Sequence, residues 1–130
     1  MNKMMLSPMT PSARPHRRAL IVGADPATLR SCSDALESSG FGAHAVDTGI
    51  AAVVAAREEL PDLILIEVQL SDVPGREAIK WLRSIPALQF TPIIVLTAEA
   101  VDDEICPPAP SLRKPVSPSA IWRTIHEIAG

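Results

Sequence analysis

Three polar side chains of this chain follow predicted strands, at places where they could do chemistry. The apolar run 63–66 leads directly into the carboxylate of Glu67, and the run 93–96 is followed by the hydroxyl of Thr97. The ammonium group of Lys114 follows a shorter strand near the carboxyl end. Continuous apolar runs are typical of strands buried on both faces of a parallel sheet. Because ligand and reaction sites lie beyond the carboxyl ends of such strands, we predict a site that combines these three groups.

The rest of the sequence predicts the elements that position them. Strands are predicted at 19–23, 43–46, 63–66, 93–96 and 112–113. Helices are predicted between the strands. The first starts at Asp25 and Pro26 and ends at Gly40, and the second starts at Asp47 or Thr48. The third starts at Gly75 and ends before Pro86, and the last starts at Ser117 and Pro118. Strands that alternate with helices over short connections form a right-handed, doubly wound α/β sheet.

Two helices carry apolar positions that are predicted to face the sheet. The helical spacing selects Ile50, Val53, Val54 and Leu60 in the second helix, and Ile121, Ile125 and Ile128 in the last. The link 99–110 is predicted to be short or irregular, since its prolines at 107, 108 and 110 remove backbone donors and disfavour helical geometry.

Together these features resemble the receiver domain of two-component response regulators, over roughly residues 18–129. The resemblance is carried by the run Pro-Asp-Leu-Ile-Leu-Ile before Glu67, by Gly75 eight residues after it, by Leu-Thr-Ala at 96–98 and by Lys-Pro at 114–115. It implies an α/β, flavodoxin-like (CheY-like) fold. That fold has a five-stranded parallel sheet of order 2-1-3-4-5, here with a short or irregular fourth helix.

The resemblance also implies roles for residues at the sheet edge. In the family, an aspartate after the third strand accepts a phosphoryl group from a histidine kinase, and two acids after the first strand hold Mg²⁺. Glu67 stands at the phosphoacceptor position. Gly23 and Ala24 stand at the positions of the metal-binding acids, followed by Asp25, and the backbone carbonyl of Gln69 corresponds to a further metal ligand.

Two more positions follow from the resemblance. Thr97 and Lys114 correspond to residues that contact the phosphoryl oxygens. Family members relay phosphorylation through that threonine and through an aromatic residue three places before the lysine, where this chain has Ser111.

The chain therefore resembles a degenerate member of the family. Mg²⁺ demands near-octahedral oxygen ligation, and Gly23 and Ala24 supply no carboxylate. Asp25, as a helix cap, is expected to point at its own helix. We expect Mg²⁺ binding to be lost or weak, and no other cofactor.

The acceptor position has changed as well. Glutamate carries its carboxylate about 1.5 Å further out than aspartate, one C–C bond, and a displacement of ~1 Å can cost ~10²-fold in rate. We expect Glu67 to be a fixed carboxylate paired with Lys114. It is either a built-in substitute for a phosphorylated aspartate or a decayed acceptor kept as the partner of the lysine.

The leading hypothesis is a stand-alone receiver-like module of two-component signalling that acts through protein–protein contacts and is not an enzyme. Its expected partners are a histidine kinase, a phosphotransfer protein or a downstream regulator. A homodimer is a further possibility. One alternative is a phosphorylatable regulator in which Asp25 and Asp72 improvise a metal site. Another is a flavodoxin-like cofactor-binding protein on the same sheet order.

Length and composition set the remaining bounds. A chain of 130 residues suffices for one domain with a single core. We expect a disordered tail at 1–17 and the receiver-like domain at 18–130. A net charge of −3 without a basic stripe argues against nucleic-acid binding, and the apolar runs are too short for a membrane span. Two distant cysteines, Cys32 and Cys106, and no signal-peptide pattern indicate a cytoplasmic protein, with Cys32 a small buried hydrophobe.

Overall fold

The computed structural model describes residues 17–98 and 110–128, which form five strands, four α-helices and one short 3-10 helix. In chain order they are β1 (Arg17–Val22), α1 (Pro26–Ser38), β2 (Phe41–Val46), α2 (Gly49–Glu59), β3 (Leu63–Glu67), α3 (Gly75–Arg83), the 3-10 helix (Pro86–Leu88), β4 (Ile93–Thr97), β5 (Ser111–Arg113) and α4 (Pro118–Ile128). The predicted tail lies outside the described residues except for Arg17, which begins β1. The predicted irregular link lies outside them except for Pro110.

The five strands form one sheet of order β2-β1-β3-β4-β5, and every neighbouring pair is parallel. The predicted fold class and strand order are therefore confirmed. The carboxyl ends of the strands meet at one edge, where Glu67 is in register with Leu96, and Thr97 with Arg113.

Both faces of the sheet are covered, which explains the unbroken apolar run of β3. Ile64 and Ile66 belong to a cluster under α2 and α3, whereas Leu63 and Leu65 belong to a second cluster under α1 and α4. Successive side chains of a strand point to opposite faces, so a strand between two helical layers has to be apolar at every position.

The prediction for the inner face of α2 was wrong at three of its four positions, and only Val53 is partly buried and packs against the core. Ile50 and Val54 are 60% and 54% exposed, and Leu60 is half exposed, whereas Ala52 and Ala56 are fully buried. The buried residues of this helix are all small, and together they are Gly49, Ala52, Ala55 and Ala56. A stripe of alanines at helical spacing lets the helix backbone approach the sheet closely, and the larger apolar side chains then turn outward.

The end of α4 also differs from its prediction. Ile121 and Ile125 are buried as expected, but Ile128 is exposed because it is the last residue of the helix, beyond the sheet-facing turns. The start of α4 follows the prediction, since Ser117 Oγ accepts a hydrogen bond from the N–H of Ala120 at 3.1 Å.

Two further predictions about local structure are confirmed. Thr48, rather than Asp47, caps α2, because its Oγ1 accepts from the N–H of Ala51 at 3.0 Å. Cys32 is completely buried, and burial, assisted by the negative charge of Glu67, raises the pKa of its thiol to about 12. None of the helices that the structure describes is long and apolar enough to cross a membrane.

Candidate functional site

Glu67 lies at the centre of the carboxyl edge of the sheet. It is the last residue of β3, and only 7% of its side chain is exposed. Its Oε2 accepts a hydrogen bond from the backbone N–H of Asp25 at 3.3 Å, and its Oε1 lies 3.5 Å from Lys114 Nζ. A buried carboxylate needs such partners, because removing an ionised group from water is costly unless hydrogen bonds and an opposite charge replace the solvent.

Lys114 is held at this edge by its own backbone. Its N–H donates to the carbonyl of Thr97 at 2.6 Å, directly beyond β5, and the peptide bond to Pro115 is cis. The side chain is 21% exposed, and its Nζ lies 3.6 Å from Oδ2 of Asp25 as well as 3.5 Å from Glu67. One ammonium group therefore bridges two carboxylates.

Asp25 is at the N-cap position of α1, with Pro26 next to it, as predicted. The prediction that its carboxylate caps the helix was wrong, because the side chain makes no cap hydrogen bond. Its Oδ2 instead accepts a hydrogen bond from the hydroxyl of Thr28 at 2.5 Å and contacts Lys114. The hydrogen bond from Thr28, and then the positive charge of Lys114, lower the pKa of Asp25, although desolvation opposes them. Thr28 was missed from the sequence, because the capping-box pattern that links these two positions has Glu or Gln, not Thr, three residues after the cap.

Gly23 provides the space in which the Glu67 carboxylate lies. A Cβ atom added at Gly23 would be 2.3 Å from Cδ, 2.4 Å from Oε2 and 2.6 Å from Cγ of Glu67. The next residue, Ala24, is exposed. The extra methylene of the glutamate has therefore carried its carboxylate over the end of β1.

The side chains at this edge offer two carboxylates, of Asp25 and Glu67, as possible oxygen ligands for Mg²⁺. Gly23 and Ala24 offer no side-chain oxygen, and the carboxylates of Asp25 and Glu67 already share the ammonium group of Lys114. Among residues 17–98 and 110–128, no three His, Cys, Asp or Glu side chains lie together in a way that could hold a metal ion. Gln69 is exposed in the loop after β3, where it pairs with Pro74.

The carboxylate of Asp72, which the improvised metal site would need, accepts hydrogen bonds from backbone N–H groups instead. Its Oδ1 accepts from the N–H of Gly49 at 2.8 Å and of Val73 at 2.9 Å, and its Oδ2 accepts from the N–H of Ile50 at 3.1 Å. These bonds, first among them the one from Gly49, lower the pKa of Asp72. The Asp72 carboxylate therefore joins the loop after β3 to the amino end of α2.

The remaining predicted positions lie along the same edge. Thr97 is buried at the end of β4, and Ser111 is the exposed first residue of β5. Gly75 opens α3, and a Cβ there would lie 2.5 Å from the carbonyl oxygen of Glu67 and 2.8 Å from that of Val68. The glycine eight residues after Glu67 thus lets α3 start directly against the end of β3.

Comparison with known proteins agrees with this fold. Residues 19–106 match the family model described as "Response regulator receiver domain". Curated relatives include the polar-differentiation response regulators DivK of Brucella ovis and Brucella suis. Each is 35% identical over 85 residues, which cover 65% of this chain and 69% of the relative.

Solved structures give the same result. A CheY-like receiver domain from Methylobacillus flagellatus superposes with a TM-score of 0.77 at 25% identity, covering 86% of this chain and 98% of the other. The receiver domain of a Pseudomonas aeruginosa sensor histidine kinase superposes with a TM-score of 0.76 at 29% identity, covering 86% and 96%. That domain was solved with a magnesium ion coordinated in its active-site cleft.

Proposed function

Because this chain belongs to the response regulator receiver domain family, we propose that it is a receiver module of two-component signalling that works without Mg²⁺-dependent phosphorylation. In this proposal Glu67 replaces the phosphoacceptor and is held permanently by Lys114. The module then acts through contacts with other proteins of the pathway, such as a histidine kinase, a phosphotransfer protein or a downstream regulator.

The observation that carries the proposal is the position of Lys114 Nζ, 3.5 Å from Glu67 and 3.6 Å from Asp25. Two carboxylates and one ammonium group leave a local charge of about −1. A phosphoryl donor brings further negative charge to this edge. The lysine that would attract the donor in other receiver domains is here already shared between two anions, so the edge repels the donor.

The metal positions support the same conclusion. Bound Mg²⁺ would supply most of the positive charge that a transferring phosphoryl group requires. Gly23 and Ala24 offer it no oxygen ligand, and Lys114 places a fixed positive charge between the two carboxylates that remain. We propose that this internal cation takes the place of the metal ion.

Of the two roles considered for Glu67, the geometry favours the retained partner of Lys114. The Glu67 carboxylate lies over Gly23 and accepts from the N–H of Asp25, so it is turned toward the loop after β1. A substitute for a phosphorylated aspartate would have to reproduce the outward position of a phosphoryl group. We therefore propose that the module has one fixed state at this edge.

Incubation with acetyl phosphate and Mg²⁺, followed by intact-protein mass spectrometry, tests the proposal. We expect no mass increase of one phosphoryl group. A labelled product that disappears in the Glu67→Gln variant would overturn the proposal, because it would show that Glu67 accepts the group.

A magnesium titration gives a second test. Trp81 is half-buried on α3 and Trp122 is exposed on α4, so both can report a change in the fold by fluorescence. We expect no saturable change up to millimolar Mg²⁺. Saturable quenching that is lost in the Asp25→Ala variant would favour the improvised metal site instead.

A further inference from the structure

We propose that Gly23 is the positioning residue for Glu67, so that glycine at 23 and glutamate at 67 form a matched pair. The absence of a side chain at 23 creates the space that the carboxylate of Glu67 fills. This inference rests on the proposed function in one respect, since it treats Glu67 as a permanently held carboxylate.

The backbone gives no other reason for glycine at this place. Among the described residues, Gly40 is the one glycine with a positive φ, so Gly23 does not adopt a conformation that other residues avoid. Its N–H donates to the carbonyl of Val46 at 2.9 Å, in continuation of the pairing between β1 and β2. Any residue could adopt this backbone, and therefore the requirement for glycine is a requirement for space.

The space over Gly23 is filled by the side chain of Glu67. The three atoms nearest to an added Cβ, at 2.3 to 2.6 Å, are Cδ, Oε2 and Cγ of Glu67. Gly75 is a useful contrast, because the nearest atoms to a Cβ there are the backbone oxygens of Glu67 and Val68 and the Cα of Val68. The clash at 23 should therefore depend on which side chain stands at 67, whereas the clash at 75 should not.

A side chain at 23 would change the electrostatics of the edge as well as its packing. The Glu67 carboxylate would have to leave its place, and with it the N–H of Asp25 and the ammonium group of Lys114. An acid at 23, as found in other receiver domains, would in addition bring a third carboxylate beside Asp25 and Glu67. Like charges at such distances strongly disfavour each other.

A double-mutant cycle tests the matched pair. Gly23→Ala is made in the Glu67 protein and in the Glu67→Ala variant, in which Cγ, Cδ and both carboxylate oxygens are gone. Gly75→Ala in the same two backgrounds is the matched control. Two quantities are measured, the thermal midpoint Tm and the backbone amide resonance of Asp25, whose N–H donates to Glu67.

We expect Gly23→Ala to lower the Tm by about 3–6 °C in the Glu67 protein, and to move the Asp25 amide signal upfield as its hydrogen bond is lost. Both effects should nearly vanish in the Glu67→Ala background. The Tm loss from Gly75→Ala should be similar in both backgrounds. The Asp25 signal separates positioning of Glu67 from a general loss of stability, which would leave that bond in place.

An equal Tm loss from Gly23→Ala in both backgrounds, or an unchanged Asp25 signal in the Glu67 protein, would overturn the inference. If Gly23→Ala does not fold, folding of the double variant supports the pair, and failure of both variants overturns it. No phosphoryl donor or metal ion is used. Labelling of the natural protein by acetyl phosphate would therefore refute the proposed function without touching this result.

Discussion

Lys114 Nζ lies 3.5 Å from Oε1 of Glu67, so a side chain that follows β5 reaches across the end of β4 to the end of β3. This distance is too long for a strong hydrogen bond but well within the range of an ion pair. Desolvation offsets much of the attraction in a partly buried pair. The main effect of the Glu67–Lys114 ion pair is therefore to fix the positions of the two side chains.

Removal of the Lys114 charge should destabilise the fold through Glu67. We expect Lys114→Met to lower the free energy of unfolding by about 1–3 kcal/mol, because a buried carboxylate loses its partner. The double variant Lys114→Met/Glu67→Gln should recover most of that loss, as measured by urea unfolding. Lys80→Met is the control, since Lys80 pairs with Glu77 on an exposed helix face and should cost less than about 0.5 kcal/mol. Equal losses for the two lysine variants would contradict this account.

Asp72 should contribute to stability in a pH-dependent way. Its pKa in the folded protein is below the ordinary value of 3.8, first because the N–H of Gly49 donates to it. The contribution is therefore present above about pH 3.8 and is lost as the pH falls through the folded pKa. We expect Asp72→Asn to lower the Tm at pH 7, and the difference from the natural protein to shrink below pH 3.8. The exposed Asp34→Asn on α1 is the control, and a difference for Asp72→Asn that is constant with pH would contradict the prediction.

The buried alanine face of α2 should not tolerate larger side chains. We expect Ala52→Ile to cost about 1–3 kcal/mol of unfolding free energy, because the added methylenes have no room against the sheet. Ile50→Ala on the exposed face should change it by less than about 0.5 kcal/mol. Chemical denaturation measures both, and the reverse order would mean that the helix is rotated to the face predicted from the sequence.

Leu60 should be better replaced by glycine. It ends α2 in the left-handed conformation, with φ 49° and ψ 65°, where a side chain with a Cβ is strained. We expect Leu60→Gly to raise the free energy of unfolding by about 0.5–1 kcal/mol, since glycine relieves the strain but is more flexible in the unfolded chain. Leu60→Ala keeps the Cβ and should bring no such gain. A loss of stability in Leu60→Gly would show that packing of the leucine outweighs the strain.

Much of the fold could be predicted from local patterns. The unbroken apolar run of β3 indicated a strand covered on both faces, and Asp25-Pro26 marked the start of α1. The pairing of Glu67 with Lys114 was also predicted, because the carboxyl ends of all the strands of a parallel sheet meet at one edge.

The errors arose where the local pattern was ambiguous or the contact was distant. The residues of α2 are mostly apolar on every side, so helical spacing alone did not show which face meets the sheet. Asp72 binds N–H groups of Gly49 and Ile50, more than twenty residues earlier in the chain, and no spacing rule connects these positions. The Glu67 carboxylate lies over Gly23, and this close approach between β3 and β1 becomes visible only once the strands are side by side.

The space over Gly23, which the Glu67 carboxylate fills, also has a consequence for the order in which residues 23 and 67 could change. In the place that it takes here, the Glu67 carboxylate fits only beside a residue without a side chain. If the matched pair proposed above holds, glycine at 23 is the permissive step and glutamate at 67 is the step that follows. A return to an acid at 23 would need Glu67 to change first, because the Glu67 carboxylate occupies the space that the new side chain needs. Ancestral reconstruction should therefore recover intermediates with glycine at 23 and aspartate at 67. Intermediates with an acid at 23 and glutamate at 67 should be missing.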